Sequence, residues 1–105
     1  MKRVYKTIAK EGDLEDGKGM IAQAGDELIA LFFKDGQYYA INAICPHQNA
    51  TIYYEELKGY NAICYRHFLG FDVRDGRCIN ASMFSTQTFE LKIENGEIKA
   101  LVWED

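Results

Sequence analysis

Three dipeptides, Asp35-Gly36, Asp75-Gly76 and Asn95-Gly96, stand between short runs rich in β-branched and aromatic residues. A glycine at such a place takes the positive φ that a tight hairpin needs. "ELIALFFKDGQYYAINAI" therefore predicts two strands, Glu27 to Phe33 and Tyr38 to Ile44, joined at Asp35-Gly36. "FDVRDGRCI" and "FELKIENGEIKALVW" repeat the device at the other two dipeptides. Further strands are expected at Val4 to Ile8, at Met20 to Ala24 and at Asn61 to Cys64, the last after a turn at Gly59. No apolar stripe at helical spacing runs for more than a few residues. Seven or eight short strands in this arrangement predict an all-β domain, a sandwich or a small barrel. The stretch Gln48 to Lys58 reads either as a helical turn or as an irregular loop.

A chain of 105 residues has the length of one domain, 1–105, with a single core. Its net charge is −4 and it contains no Lys/Arg run, which argues against nucleic acid or an anionic membrane as partner. The start, "MKRVYKTIAKEGD", has no apolar stretch behind its basic residues, and the longest apolar run is the six residues Leu28 to Phe33. A secretory signal and a membrane-spanning helix are both unexpected on that count. Three cysteines, an odd number without a signal peptide, argue against a disulfide framework. The expected setting is the cytoplasm, where thiols stay reduced and are available to metal.

Both histidines and two of the three cysteines fall in two short motifs, "CPH" at Cys45 to His47 and "CYRH" at Cys64 to His67, sixteen residues apart. Two thiolates and two imidazoles suit either tetrahedral zinc or an iron–sulfur cluster. Zinc knuckles usually pair like ligands on one turn, because that turn must aim both at a single ion. Here each motif supplies one Cys and one His, which favours two irons, one taking a cysteine from each loop and the other a histidine from each.

With these motifs the sequence resembles the Rieske [2Fe-2S] proteins, above all the small soluble Rieske-type ferredoxins, over nearly its whole length. "YYAINAICPH" is similar to their strand and first ligand loop, "YNAICYRHFLGFD" to the second, and "DLEDGKG" to their N-terminal turn. The resemblance implies one [2Fe-2S] cluster per chain, with Cys45 and Cys64 on the buried iron and His47 and His67 on the outer one. It also implies a β-sandwich carrying a small cluster-binding subdomain, here at about residues 44–71. The family's usual glycine after the second histidine is replaced by Phe68, and its often proline-rich third loop corresponds to "INASMFSTQ". High-potential Rieske proteins carry a serine two residues and a tyrosine four residues after that histidine, both donating to cluster sulfur. Leu69 and Phe71 stand at those places, and Asn49 and Arg66 stand where those proteins have a disulfide.

With both histidines taken by the cluster, none is left for a mononuclear oxygenase iron, and no G-x-G-x-x-G stretch offers a nicotinamide site. The expected role is that of a one-electron carrier, not an enzyme. Resemblance suggests a flavin-containing reductase as donor and the oxygenase component of a multicomponent system as acceptor. Two alternatives are a Rieske-fold small subunit of a larger reductase or oxidase, and a zinc-stabilised interaction module. Cys78 is expected to be a packed thiol. Phe68 and Leu69, beside a surface ligand, are candidates for shielding the cluster or docking a partner.

Overall fold

A computed structural model of the chain describes residues 1–46, 50–52, 54–65 and 68–104. Eight strands run in order: β1 (Lys2–Lys10), β2 (Lys18–Ala24), β3 (Glu27–Lys34), β4 (Gln37–Asn42), β5 (Asn61–Cys64), β6 (Leu69–Asp72), β7 (Leu91–Glu94) and β8 (Glu97–Glu104). There is no helix among the described residues, so none is long and apolar enough to cross a membrane.

Two of the three turn dipeptides build the expected hairpins. Asp35 and Gly36 (φ 51° and 81°) join β3 to β4, and Asn95 and Gly96 (φ 52° and 78°) join β7 to β8. Both residues of each pair are left-handed, which matches the right-handed strand twist. The third behaves differently. After β6 the N–H of Gly76 reaches back to the carbonyl of Asp72 at 2.7 Å, and the returning chain makes only the isolated bridge Phe71↔Cys78. Gly76 has φ 82°, and a Cβ there would lie 2.2 Å from the carbonyl oxygen of Thr86. The returning segment is thus held by the 84–88 stretch, through Thr86 N–H to Gly76 C=O at 2.8 Å and the bridge Arg77↔Ser85. That tertiary contact replaces the regular hairpin expected at Asp75-Gly76.

The strands form three antiparallel sheets, ordered β1-β8-β7, β2-β3-β4 and β5-β6. The apolar run of β3 has side chains on both sides of its sheet. Ile29 and Leu31 pack with Ile98, Ala100 and Val102 of β8, while Ala30 and Phe32 pack with Ala62, Cys64, Leu69 and Phe71 of the β5–β6 hairpin. Successive strand residues alternate faces, so a strand covered on both faces reads as an unbroken apolar run. The sandwich core and the core beneath the hairpin meet on this one strand. The 48–58 stretch is irregular among its described residues, tied by bridges such as Lys18↔Glu56 and Ile44↔Thr51. Its approach to β2 depends on Gly19, where a Cβ would meet the Tyr54 carbonyl oxygen at 2.3 Å and the Phe32 ring at 2.5 Å.

Candidate metal centre

Past the end of β4, Asn42 Oδ1 accepts the N–H of Ile44 at 2.9 Å and turns the chain into Cys45. The segment then closes on itself. Cys45 N–H donates to the Ala50 carbonyl at 2.6 Å, and Ile52 N–H donates to that of Ala43 at 2.8 Å. In the second motif Cys64 is the last residue of β5 and pairs directly with Leu69, the first of β6. Each cysteine therefore stands at the neck of a closed loop. His47 and His67, the other expected ligands, lie outside the described residues.

Cys45 and Cys64 are 0% and 1% exposed and belong to one apolar cluster with Phe32, Ile41, Ile52 and Phe71. None of the cysteines is in a disulfide. Thiolates in such surroundings are costly without a cationic partner, whereas soft sulfur ligands with water excluded suit iron. The two buried thiols thus fit a [2Fe-2S] cluster. No set of three or more metal-ligating side chains gathers among the described residues, as expected when both imidazoles fall outside them.

Cys78 is buried in the same cluster, and its Sγ donates to Asn80 Oδ1 at 3.3 Å, in keeping with a packed thiol. Phe68 and Leu69, the candidates for shielding the cluster or docking a partner, divide between surface and interior. Phe68 is 67% exposed with its ring edge-on to Tyr65 at 6.0 Å, whereas Leu69 is 8% exposed and lies across the hairpin from Cys64. Phe68 also has φ 55°, the conformation a glycine would take freely. A side chain there costs on the order of 1–2 kcal/mol. Asn80, with no motif to mark it, proves to be tied to this loop. Its Nδ2 donates to the Phe68 carbonyl at 2.7 Å and its Oδ1 accepts the N–H of Gly70 at 3.1 Å. Ile79 and Met83, both exposed, add to the apolar surface on this stretch.

The hairpin is anchored at its other end by Tyr60, just before β5. The Tyr60 hydroxyl donates to Asp35 in the β3–β4 turn. The Arg74 guanidinium lies 4.1 Å from the centre of the Tyr60 ring and donates to both oxygens of Asp72. The hydrogen bond to the Asp35 carboxylate, then burial, push the Tyr60 pKa up to about 12. A folded value above that of the unfolded chain, about 10, means stability present below pH ~10 and lost as pH rises toward ~12. Tyr60→Phe is expected to lower the melting temperature near neutrality and to abolish this increment of alkaline loss. Parallel melting curves of the two proteins from pH 8 to 12 check it, and a constant difference would contradict it.

The Rieske [2Fe-2S] domain model matches residues 4–100. The ferredoxin component of the alkene monooxygenase system of Xanthobacter autotrophicus is 30% identical, over 90% of this chain and 78% of its own. The ferredoxin of carbazole 1,9a-dioxygenase from Nocardioides aromaticivorans superposes with TM-score 0.81 at 18% identity, covering 91% of this chain and 95% of that one. The nitrite reductase [NAD(P)H] small subunit from Erwinia carotovora superposes with TM-score 0.72 at 23% identity, covering 96% and 83%. At these identities the two structural likenesses bear on the fold, and they agree with the all-β sandwich.

Proposed function

This chain belongs to the Rieske [2Fe-2S] family, and on that footing we propose that it carries single electrons from a flavin-containing reductase to a terminal oxygenase component in the cytoplasm. The observation that carries the reading is the burial of Cys45 and Cys64 together at the necks of two loops. Cys45, His47, Cys64 and His67 are the proposed ligands, within a single domain whose residues 44–71 or so form the cluster-binding part. When bound, the one [2Fe-2S] cluster of the chain supplies reversible one-electron exchange.

The chain's own residues supply the rest. The two cysteines hold their sulfurs inside the apolar cluster, and Leu69 and Phe71 keep water from that side. Tyr65 and Phe68 present an exposed aromatic pair on the second ligand loop. A transient redox contact needs only a small patch, and aromatic rings serve as anchors there. A carrier role for this chain is supported by its relative from the alkene monooxygenase system. The likeness to a nitrite reductase small subunit supports a second reading, a relay subunit held in a larger reductase. Purification as an independent protein that shuttles electrons between separate partners favours the first, and constant co-purification with a large reductase favours the second.

Phe68→Glu is expected to slow electron transfer to the oxygenase about tenfold, the loss of one anchor worth about 1.4 kcal/mol. Glutamate meets the same positive φ as phenylalanine, so cluster content is expected to stay unchanged. Stopped-flow oxidation of the reduced protein by the oxygenase measures this. Wild-type rates in the variant would move the docking surface away from Phe68.

A further inference from the structure

We propose that Asn80 is the positioning residue of the second ligand loop, its side-chain amide holding the strained peptide at Phe68 and with it the backbone from which His67 departs. The inference rests on the Rieske reading of that loop. Three observations carry it.

First, the backbone of Phe68 is in the left-handed region at φ 55°, and nothing in its own side chain favours that conformation. Something else must fix it. Second, the amide of Asn80 engages both sides of Leu69, donating to the Phe68 carbonyl at 2.7 Å and accepting from Gly70 N–H at 3.1 Å. It uses a donor and an acceptor together, as a peptide group does in a strand ladder. Third, it occupies the place where such a ladder stops. The returning chain pairs with β6 through Asp72 N–H to Arg77 C=O and Ile79 N–H to Gly70 C=O, and one residue later the side chain of Asn80 takes over. Cys78 Sγ, donating to the same Oδ1 at 3.3 Å, limits how that amide can turn. A side chain ten to twelve residues away thus imposes on Phe68 a conformation that glycine would reach unaided.

If the amide exists to hold the left-handed peptide, it should matter less where glycine removes the strain. The test is a double-mutant cycle of Asn80→Ala and Phe68→Gly on the holoprotein. Asn80→Ala alone is expected to speed loss of the visible chromophore about tenfold and, through a spread of loop conformations, to broaden the EPR spectrum of the molecules still loaded. In the Phe68→Gly background the same change is expected to cost less than about threefold. If Asn80→Ala alone fails to load, recovery of colour in the double variant supports the proposal and a colourless double variant overturns it. Equal losses in both backgrounds, or a loaded Asn80→Ala protein with the wild-type EPR spectrum, would also overturn it. A wild-type protein without a [2Fe-2S] chromophore would defeat the Rieske reading. The clamp is then judged by amide hydrogen exchange at Gly70, which Asn80→Ala must accelerate.

Discussion

Alanine at Cys45, His47, Cys64 or His67 is expected to abolish the [2Fe-2S] chromophore, while Cys78→Ser leaves it in place. The contrast is informative because all three cysteines share one buried cluster, so burial alone does not distinguish a ligand from a packed thiol. Position does. Cys45 and Cys64 stand at loop necks, each with a histidine two or three residues on, whereas Cys78 lies on the segment that returns beside β6 and donates a hydrogen bond to Asn80. A serine hydroxyl can donate to Asn80 in the same way, at a cost near 1 kcal/mol for the altered packing.

Loss of a ligand is not expected to unfold the whole chain. The sandwich core around Ile29, Leu31, Ile98 and Val102 contains no cysteine and is formed by strands outside the two loops. Far-UV circular dichroism should therefore keep its β signal while the visible absorption disappears. Iron and sulfide analysis of the wild type and the five variants checks the prediction. Bleaching by Cys78→Ser, or a colourless wild type with stoichiometric zinc, would sink the ligand assignment.

Much of the fold is legible where its cause is local. Asp35-Gly36 and Asn95-Gly96 mark hairpins because only two residues must satisfy the turn. The unbroken run of β3 announces a strand, but its two-sided burial depends on the β5–β6 hairpin, which is distant in sequence. The pairing of β1 with β8 is a register between the two ends of the chain, and no local pattern encodes it. At Asp75-Gly76 the chain also turns back on β6, but the return is a single bridge and not a strand, and its contact with Thr86 is distant in sequence.

The site divides along the same line. The four proposed ligands, Cys45, His47, Cys64 and His67, stand out as spacing, since metal chemistry demands those residue types. Adjacency to the second motif marks Phe68 and Leu69 alike, and does not tell that Leu69 is the inner one. Leu69 is buried because it opens β6 and faces the same side of the hairpin as Cys64. Asn80 is invisible in the sequence, since an asparagine in a polar loop is ordinary and its value lies in which backbone it meets.

The burial of Leu69 leads to the second large effect, on the reduction potential. Rieske centres span about −150 to +300 mV, and hydrogen bonds to cluster or ligand sulfur raise the value by stabilising the reduced, more negative state. In this chain the residue directly across the hairpin from Cys64 is Leu69, and Phe71 follows on the same inner face opposite Ala62. Neither side chain has a donor, and both are buried. No buried side-chain N or O without a partner occurs among the described residues, and none of the buried residues is polar. The inner face of the hairpin beside Cys64, at Leu69 and Phe71, therefore offers no side-chain donor to its sulfur, and a potential in the lower part of the range is expected. That suits delivery of electrons to an oxygenase.

Leu69→Ser with Phe71→Tyr is expected to raise the midpoint potential, by about 100 mV given the width of the class. Two hydroxyls in an apolar cluster have no other reason to be tolerated. If they find sulfur acceptors the potential rises with modest loss of stability, and if they do not, each costs about 1–3 kcal/mol with no gain in potential. Redox titration and thermal melting of the same samples separate these cases. A wild-type potential near the top of the range at neutral pH, or a double variant whose potential does not move, would overturn the link between this apolar face and low potential, and would remove a main support for the oxygenase partner.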